Sequence, residues 1–119
     1  MSNDDLQRLR GELRAFARER DWEQFHTPKN LAMALAGEVG ELLEVFQWLT
    51  PEEAAAVMES ARADDVADEL ADVAIYLVRL ADVLDVDLLD VARAKLELNR
   101  DRYPPASVRG RADVPPSMP

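Results

Sequence analysis

The chain has 119 residues, of which 48% are hydrophobic and 24 are acidic against 14 basic, for a formal charge of −10. That is one domain's length with apolar content enough for a single core, and its acidity excludes a non-specific grip on nucleic acid or on an anionic membrane while suiting a metal cation. Absence of cysteine excludes a disulfide framework and a thiolate metal site. The opening MSNDDLQRLR is too polar for a signal-peptide core and no apolar run approaches the ~18 residues of a membrane span, so the expectation is a soluble cytoplasmic protein.

Residues 3–20 pattern as a polar amphipathic helix through Leu6, Leu9, Leu13, Phe16 and Ala17, opened by Asn3 with Asp4 and Asp5 in its first turn. RDWEQFHTPKN breaks the period. Thr27-Pro28, a cap residue followed by proline at the first helical position, starts a second helix expected to reach about Leu49. Thr50-Pro51-Glu52-Glu53 repeats that signal and opens a short helix through Met58. A third long helix is expected over about Asp64 to Leu84, and Asp85-Val86-Asp87 turns the chain into a last one from about Leu88 to Arg102, stopped by Tyr103-Pro104-Pro105. With no strand alternation, the pattern predicts an all-α, antiparallel four-helix bundle with a short extra helix, spanning residues 1–103. Residues 104–119, rich in proline and poor in apolar residues, read as a disordered tail.

On a wheel of roughly 100° per residue, the second helix carries its apolar seam at Leu31, Leu35, Leu42, Val45 or Phe46, and Leu49. One step of that seam, between Leu35 and Leu42, is filled by Glu38. Glu41 falls on the flank and Glu44 points to solvent. The third long helix has its expected seam at Val66, Leu70, Val73, Leu77, Leu80 and Leu84, with Glu69 and Asp72 on the flank. Each helix thus carries an acidic i,i+3 pair beside its apolar seam.

An ionised carboxylate at a core position costs several kcal/mol unless a positive group compensates it. Neither long seam offers an arginine or lysine at a neighbouring core position, so two readings stand: solvated helix edges, or four carboxylates converging on a divalent cation. The one histidine, His26, lies outside the pairs, which disfavours a Glu-x-x-His di-iron site and suits Mg²⁺, with Mn²⁺ as substitute. Mg²⁺ sites are usually completed by substrate phosphates.

These residues carry a resemblance. GEVGELLE followed by DELADVAIYL resembles the ExxE…ExxD signature of the MazG-type, all-α nucleotide pyrophosphohydrolases. The wider string DWEQFHTPKNLAMALAGEVGELLEVFQW, with KLELNRDRYP near the end, is most similar to the dCTP pyrophosphatase branch, over about Arg18 to Pro104. The resemblance implies Mg²⁺ bound by Glu38, Glu41, Glu69 and Asp72, with cleavage of a nucleoside triphosphate between its α and β phosphates. It also implies Trp22, Trp48 and Tyr76 around the nucleoside, and Lys95 and Asn99 reaching the substrate from the last helix. Residue chemistry alone reads the aromatics first as core anchors and Lys95 as a solvated charge, whereas Asn99 puts an amide on the otherwise apolar row Ala92, Leu96, Tyr103. His26 reads first as a loop or helix-start residue and is carried as a further candidate contact; Lys29, Asn30 and Arg102 carry less signal. Apolar residues beyond the seam of the second helix (Met33, Leu43, Trp48) predict self-association, and the resemblance implies a homotetramer built from dimers. The rival readings are a relative acting on another nucleotide, such as dUTP or phosphoribosyl-ATP, and a non-catalytic helical module.

Overall fold

The computed structural model describes residues 3–113, and every regular element among them is helical. In chain order these are α1 (Asn3–Glu19), a 3₁₀ turn (Glu23–Phe25), α2 (Pro28–Phe46), α3 (Pro51–Ala55), a second 3₁₀ turn (Val57–Glu59), α4 (Ala63–Val83), α5 (Leu88–Arg102) and α6 (Pro105–Val108). They fall into two compact units, divided between Asp85 and Val86.

Local chemistry sets the boundaries. Thr27 accepts a hydrogen bond from the Asn30 amide at 3.2 Å, with Pro28 pre-set for the first helical position. Thr50 and Glu53 form a reciprocal capping box, 3.1 Å and 2.9 Å, which also holds the Glu53 carboxyl below its usual pKa. Asp87 caps α5 through the Asp90 amide at 3.0 Å. Asp21, after α1, and Asp85, after α4, are both left-handed at φ 56°, a conformation aspartate tolerates better than most residues.

Two ends fall short of the sequence expectation. α2 stops at Phe46, because Pro51 biases Thr50 to an extended backbone and the last turn closes by a 3₁₀-type bond from Leu49 to Phe46 at 3.0 Å. The short helix that follows ends at Ala55 and continues only as the 3₁₀ turn.

In the first unit, α2 runs antiparallel to α4, pairing Glu38 and Glu41 with Glu69 and, one turn on, Val45 with Val66. Val57 from the 3₁₀ turn joins that valine cluster, with Phe46 and Leu49 packed against it. Leu31, 1% exposed, is the largest side chain shut fully from solvent. The α2 seam is as expected, with Leu31 and Val45 buried and Leu35, Glu38 and Leu42 half-buried between them.

The seam of α4 is not. Val66, Val73 and Leu80 are covered as expected, but so are Glu69, Tyr76 and Arg79 on one side of that line and Val78 and Ala81 on the other. Leu70 and Leu84 are 53% and 51% exposed, and Leu77 39%. The cause is that α4 packs against α2, α1 and the second 3₁₀ turn, so its covered surface is wider than one apolar stripe. A leucine stripe at seven-residue spacing is left uncovered, as are Met33 and Leu43 on α2.

The second unit comprises α5 and the single-turn α6, which occupies part of the stretch expected as a tail. The end of that stretch, 114–119, lies outside the described residues.

Candidate metal and nucleotide site

Glu38 and Glu41 leave α2 on successive turns and Glu69 leaves α4 opposite them. One carboxylate oxygen from each lies within 4.8 Å of the others. Glu38 and Glu69 are half-buried and Glu41 is exposed. The Oε2 atoms of Glu38 and Glu69 are closed to solvent and have no hydrogen-bond partner, and no ion pair among the described residues involves any of the three. Burial raises the Glu38 carboxyl above its usual range, and its contact with Glu41 raises it further. Burial, then the adjoining Glu38 and Glu41, push Glu69 up to about 7. Packing has therefore set negative groups against one another with nothing positive between them.

Asp72, one turn along α4 from Glu69, is half-buried and its charge also acts on Glu38, but it is not among the three clustered carboxylates. Glu44 is exposed, as expected, and borders an open cleft of about 520 Å³ beside the cluster, together with Glu41, Trp48, Arg62, Asp65, Asp68 and Glu69. Trp48, just past the end of α2, is 86% exposed there.

The other aromatic candidates meet elsewhere. Trp22, His26 and Tyr76 line a smaller cavity of about 110 Å³ with Leu13, Phe16, Ile75 and Arg79. The reversal at Asp21 builds its wall: the Trp22 amide bonds back to the Ala17 carbonyl at 2.9 Å, setting the indole edge-on to Phe16 with centroids 5.8 Å apart. Trp48 does not share this cavity.

Arg79 lies off the apolar seam expected for α4, so the sequence does not mark it as a core residue. It is 6% exposed and donates through Nε to His26 Nδ1 at 3.1 Å and through Nη1 to Asp82 Oδ2 at 3.0 Å. Asp82 also receives a bidentate pair from Arg14 and an ion pair with Arg10 at 3.6 Å. The available signal was that Arg79 continues the Asp72–Tyr76 row by i+3. It serves Asp82 and His26 and leaves the acidic cluster uncompensated. Lys95, exposed, and Asn99, half-buried, stand four residues apart on α5 in the second unit. Lys29 and Asn30 are exposed at the start of α2, where Asn30 Nδ2 donates to the Phe25 carbonyl at 3.1 Å.

A MazG-like family model matches residues 34–109. The chain belongs to the MazG-like family. Among curated relatives, dCTP pyrophosphatase 1 of Bos taurus is 49% identical over 110 residues, covering 92% of this chain and 63% of the relative. Its counterpart in Homo sapiens is 49% identical over 111 residues, covering 85% of this chain and 58% of the relative. The chain thus spans less than two thirds of these relatives' length. A solved pyrophosphatase structure from Archaeoglobus fulgidus DSM 4304 superposes with a TM-score of 0.79 at 42% identity, covering 84% of this chain and 93% of that one.

The MazG-like chain's acidic cluster suits a hard divalent cation on its own geometry. All donors are carboxylate oxygens, the set preferred by Mg²⁺ and Mn²⁺. The two orphaned Oε2 atoms are groups that ordinarily cost free energy unless something binds them. Glu38, Glu41 and Glu69 would hold the ion, and it would supply charge neutralisation and polarisation of a phosphoryl oxygen.

Proposed function

We propose that this chain is a Mg²⁺-dependent nucleoside triphosphate pyrophosphohydrolase that cleaves dCTP or a modified dCTP between the α and β phosphates, releasing the monophosphate and pyrophosphate. The observation that carries the reading is the uncompensated Glu38–Glu41–Glu69 cluster, in a chain 49% identical to a dCTP pyrophosphatase over 92% of its length.

The parts divide the work. The open cleft beside the cluster has five acidic residues and Arg62 in its lining, so a bare polyphosphate is repelled and only a cation-complexed one is accepted. That makes the metal complex of the nucleotide the substrate, with Asp72 completing the ligand set. The carboxylates orient the attacked phosphoryl group and take up the proton released by the attacking water. No covalent intermediate is required. The cavity of Trp22, His26 and Tyr76, at about 110 Å³, is well below the ~300 Å³ of a site enclosing a whole drug-sized ligand, and suits a single flat base. Trp48, Lys95 and Asn99 are the remaining proposed substrate contacts.

The four-helix bundle and the homotetramer built from dimers belong to this proposal. The uncovered Leu70–Leu77–Leu84 stripe and the exposed Met33 and Leu43 support self-association. No helix among the described residues is long and apolar enough to cross a membrane, which suits action on the nucleotide pool of the cytoplasm.

The test is a panel of NTPs and dNTPs with Mg²⁺, products separated by chromatography. The expected outcome is dCMP with pyrophosphate from dCTP as the preferred reaction. Diphosphate with orthophosphate refutes α/β cleavage, preference for another nucleotide reassigns the substrate, and no turnover returns the chain to a non-catalytic helical module.

A further inference from the structure

The ring of His26 has its protonation state written into its surroundings. A guanidinium has donors only, so the 3.1 Å bond from Arg79 Nε requires a lone pair on His26 Nδ1. The ring proton is then on Nε2. Arg79 has little freedom to turn away: it is 6% exposed and its Nη1 is bonded to Asp82. Asp82 is in turn held by Arg14 and Arg10 from α1, with only 5% of its side chain exposed. The charged groups acting on the imidazole are Arg79 from α4, with the Asp82, Arg14 and Arg10 array behind it, and Glu23 on the adjacent 3₁₀ turn. Burial and Arg79 together lower the His26 pKa against the weaker pull of Glu23, in keeping with the geometry.

His26 and Arg79 both line the 110 Å³ cavity with Trp22 and Tyr76. We propose that Arg79 is a positioning residue that holds His26 in its Nε2–H tautomer, so that the imidazole presents a donor to the acceptor edge of a pyrimidine such as cytosine, whose O2 and N3 accept hydrogen bonds. Without Arg79 the proton is free to move to Nδ1, which turns Nε2 into an acceptor facing those same atoms. This inference rests on the nucleotide reading of the cavity. Arg79 touches no reacting atom, and its effect falls on binding rather than on the bond-breaking step.

A single histidine in the chain makes the experiment direct. Imidazole ¹⁵N spectra of the full chain report the tautomer without assignment, and steady-state kinetics on dCTP with Mg²⁺ report the consequence. Wild type is expected to show the Nε2–H tautomer, with protonation displaced below the ordinary ~6.5. Arg79→Met, in which Asp82 keeps Arg14 and Arg10, is expected to give mixed tautomers and ordinary protonation. Its KM for dCTP rises about tenfold with kcat within about twofold, as for loss of one buried hydrogen bond, and the KM becomes pH-dependent between about pH 6 and 7.5. If Arg79→Met fails to fold by circular dichroism, Arg79→Gln, whose amide can either donate to Nδ1 or accept from it, carries the same comparison. A wild-type Nδ1–H tautomer, or an unchanged KM once the tautomer has been released, overturns the inference while leaving the pyrophosphohydrolase reading intact. Absence of any nucleotide turnover by wild type overturns both.

Discussion

Two polar clusters sit within one small helical unit, and they are opposites. Around Asp82, three arginines surround one carboxylate, and its pKa is lowered, chiefly by the Arg14 hydrogen bond. Around Glu69, three carboxylates meet with no cation, and its pKa is raised to about 7. The first array is satisfied and ties α1 to α4. The second leaves buried oxygens without partners, a condition that costs stability and persists where binding or catalysis requires it. What separates the two clusters is internal compensation, present around Asp82 and lacking around Glu69, not the number of charges.

The largest effect that sharpens this contrast is on turnover. Glu38→Gln or Glu69→Gln is expected to lower kcat/KM for dCTP by about 10²–10³-fold, in the range for loss of one preorganised electrostatic contact. Thermal denaturation of the metal-free variants should show stability equal to or above wild type, since like charges no longer crowd the site. The Asp82 array should behave in reverse: Asp82→Ala strands the buried Arg79 guanidinium and is expected to cost about 3 kcal/mol of stability in urea unfolding.

Proton linkage gives the same contrast with opposite signs. The folded-state pKa of Asp82 is depressed, so its contribution is present above the unfolded value near ~3.9 and is lost as pH falls through the folded value. That of Glu69 is raised to about 7, so the folded state binds the extra proton between the unfolded value near ~4.3 and about 7. Metal-free stability from Glu69 is therefore full at the low end of that window and is lost as pH rises through it. Denaturation midpoints across pH 4 to 8, with and without Mg²⁺, check this: the metal should restore stability above pH 7, and Glu69→Gln should flatten the metal-free slope. The smallest effect concerns the turn that follows α4. Asp85→Gly relieves a left-handed aspartate at φ 56° and should stabilise by about 0.5–1 kcal/mol.

Helix positions were legible because caps and prolines are local chemistry: Thr27-Pro28, Thr50-Pro51 and Asp87 each start the helix their spacing predicts. Glu38 was legible for a related reason, since a charged residue filling one step of an apolar row is visible on a helical wheel. The face of α4 was not. Wheel position ranks apolarity, but α4 packs toward several neighbours at once, and that packing buries Arg79 and half-buries Glu69 and Tyr76 while leaving Leu70, Leu77 and Leu84 exposed. The separation of Trp48 from Trp22 and Tyr76 was equally hidden, because it depends on where α2 ends and which way the chain then turns. Arg79 escaped because its partners, His26 and Asp82, are brought to it by the α1–α2 connection and by its own helix, and only the fold makes that meeting.

Calorimetric titration of the metal-free protein with Mn²⁺ near pH 7, in buffers of different ionisation enthalpy, tests the central claim most directly. Wild type should bind the ion with release of protons from the Glu69 cluster, and Glu38→Gln and Glu69→Gln should bind at least about tenfold more weakly. Affinity and proton release unchanged in both variants would contradict the account.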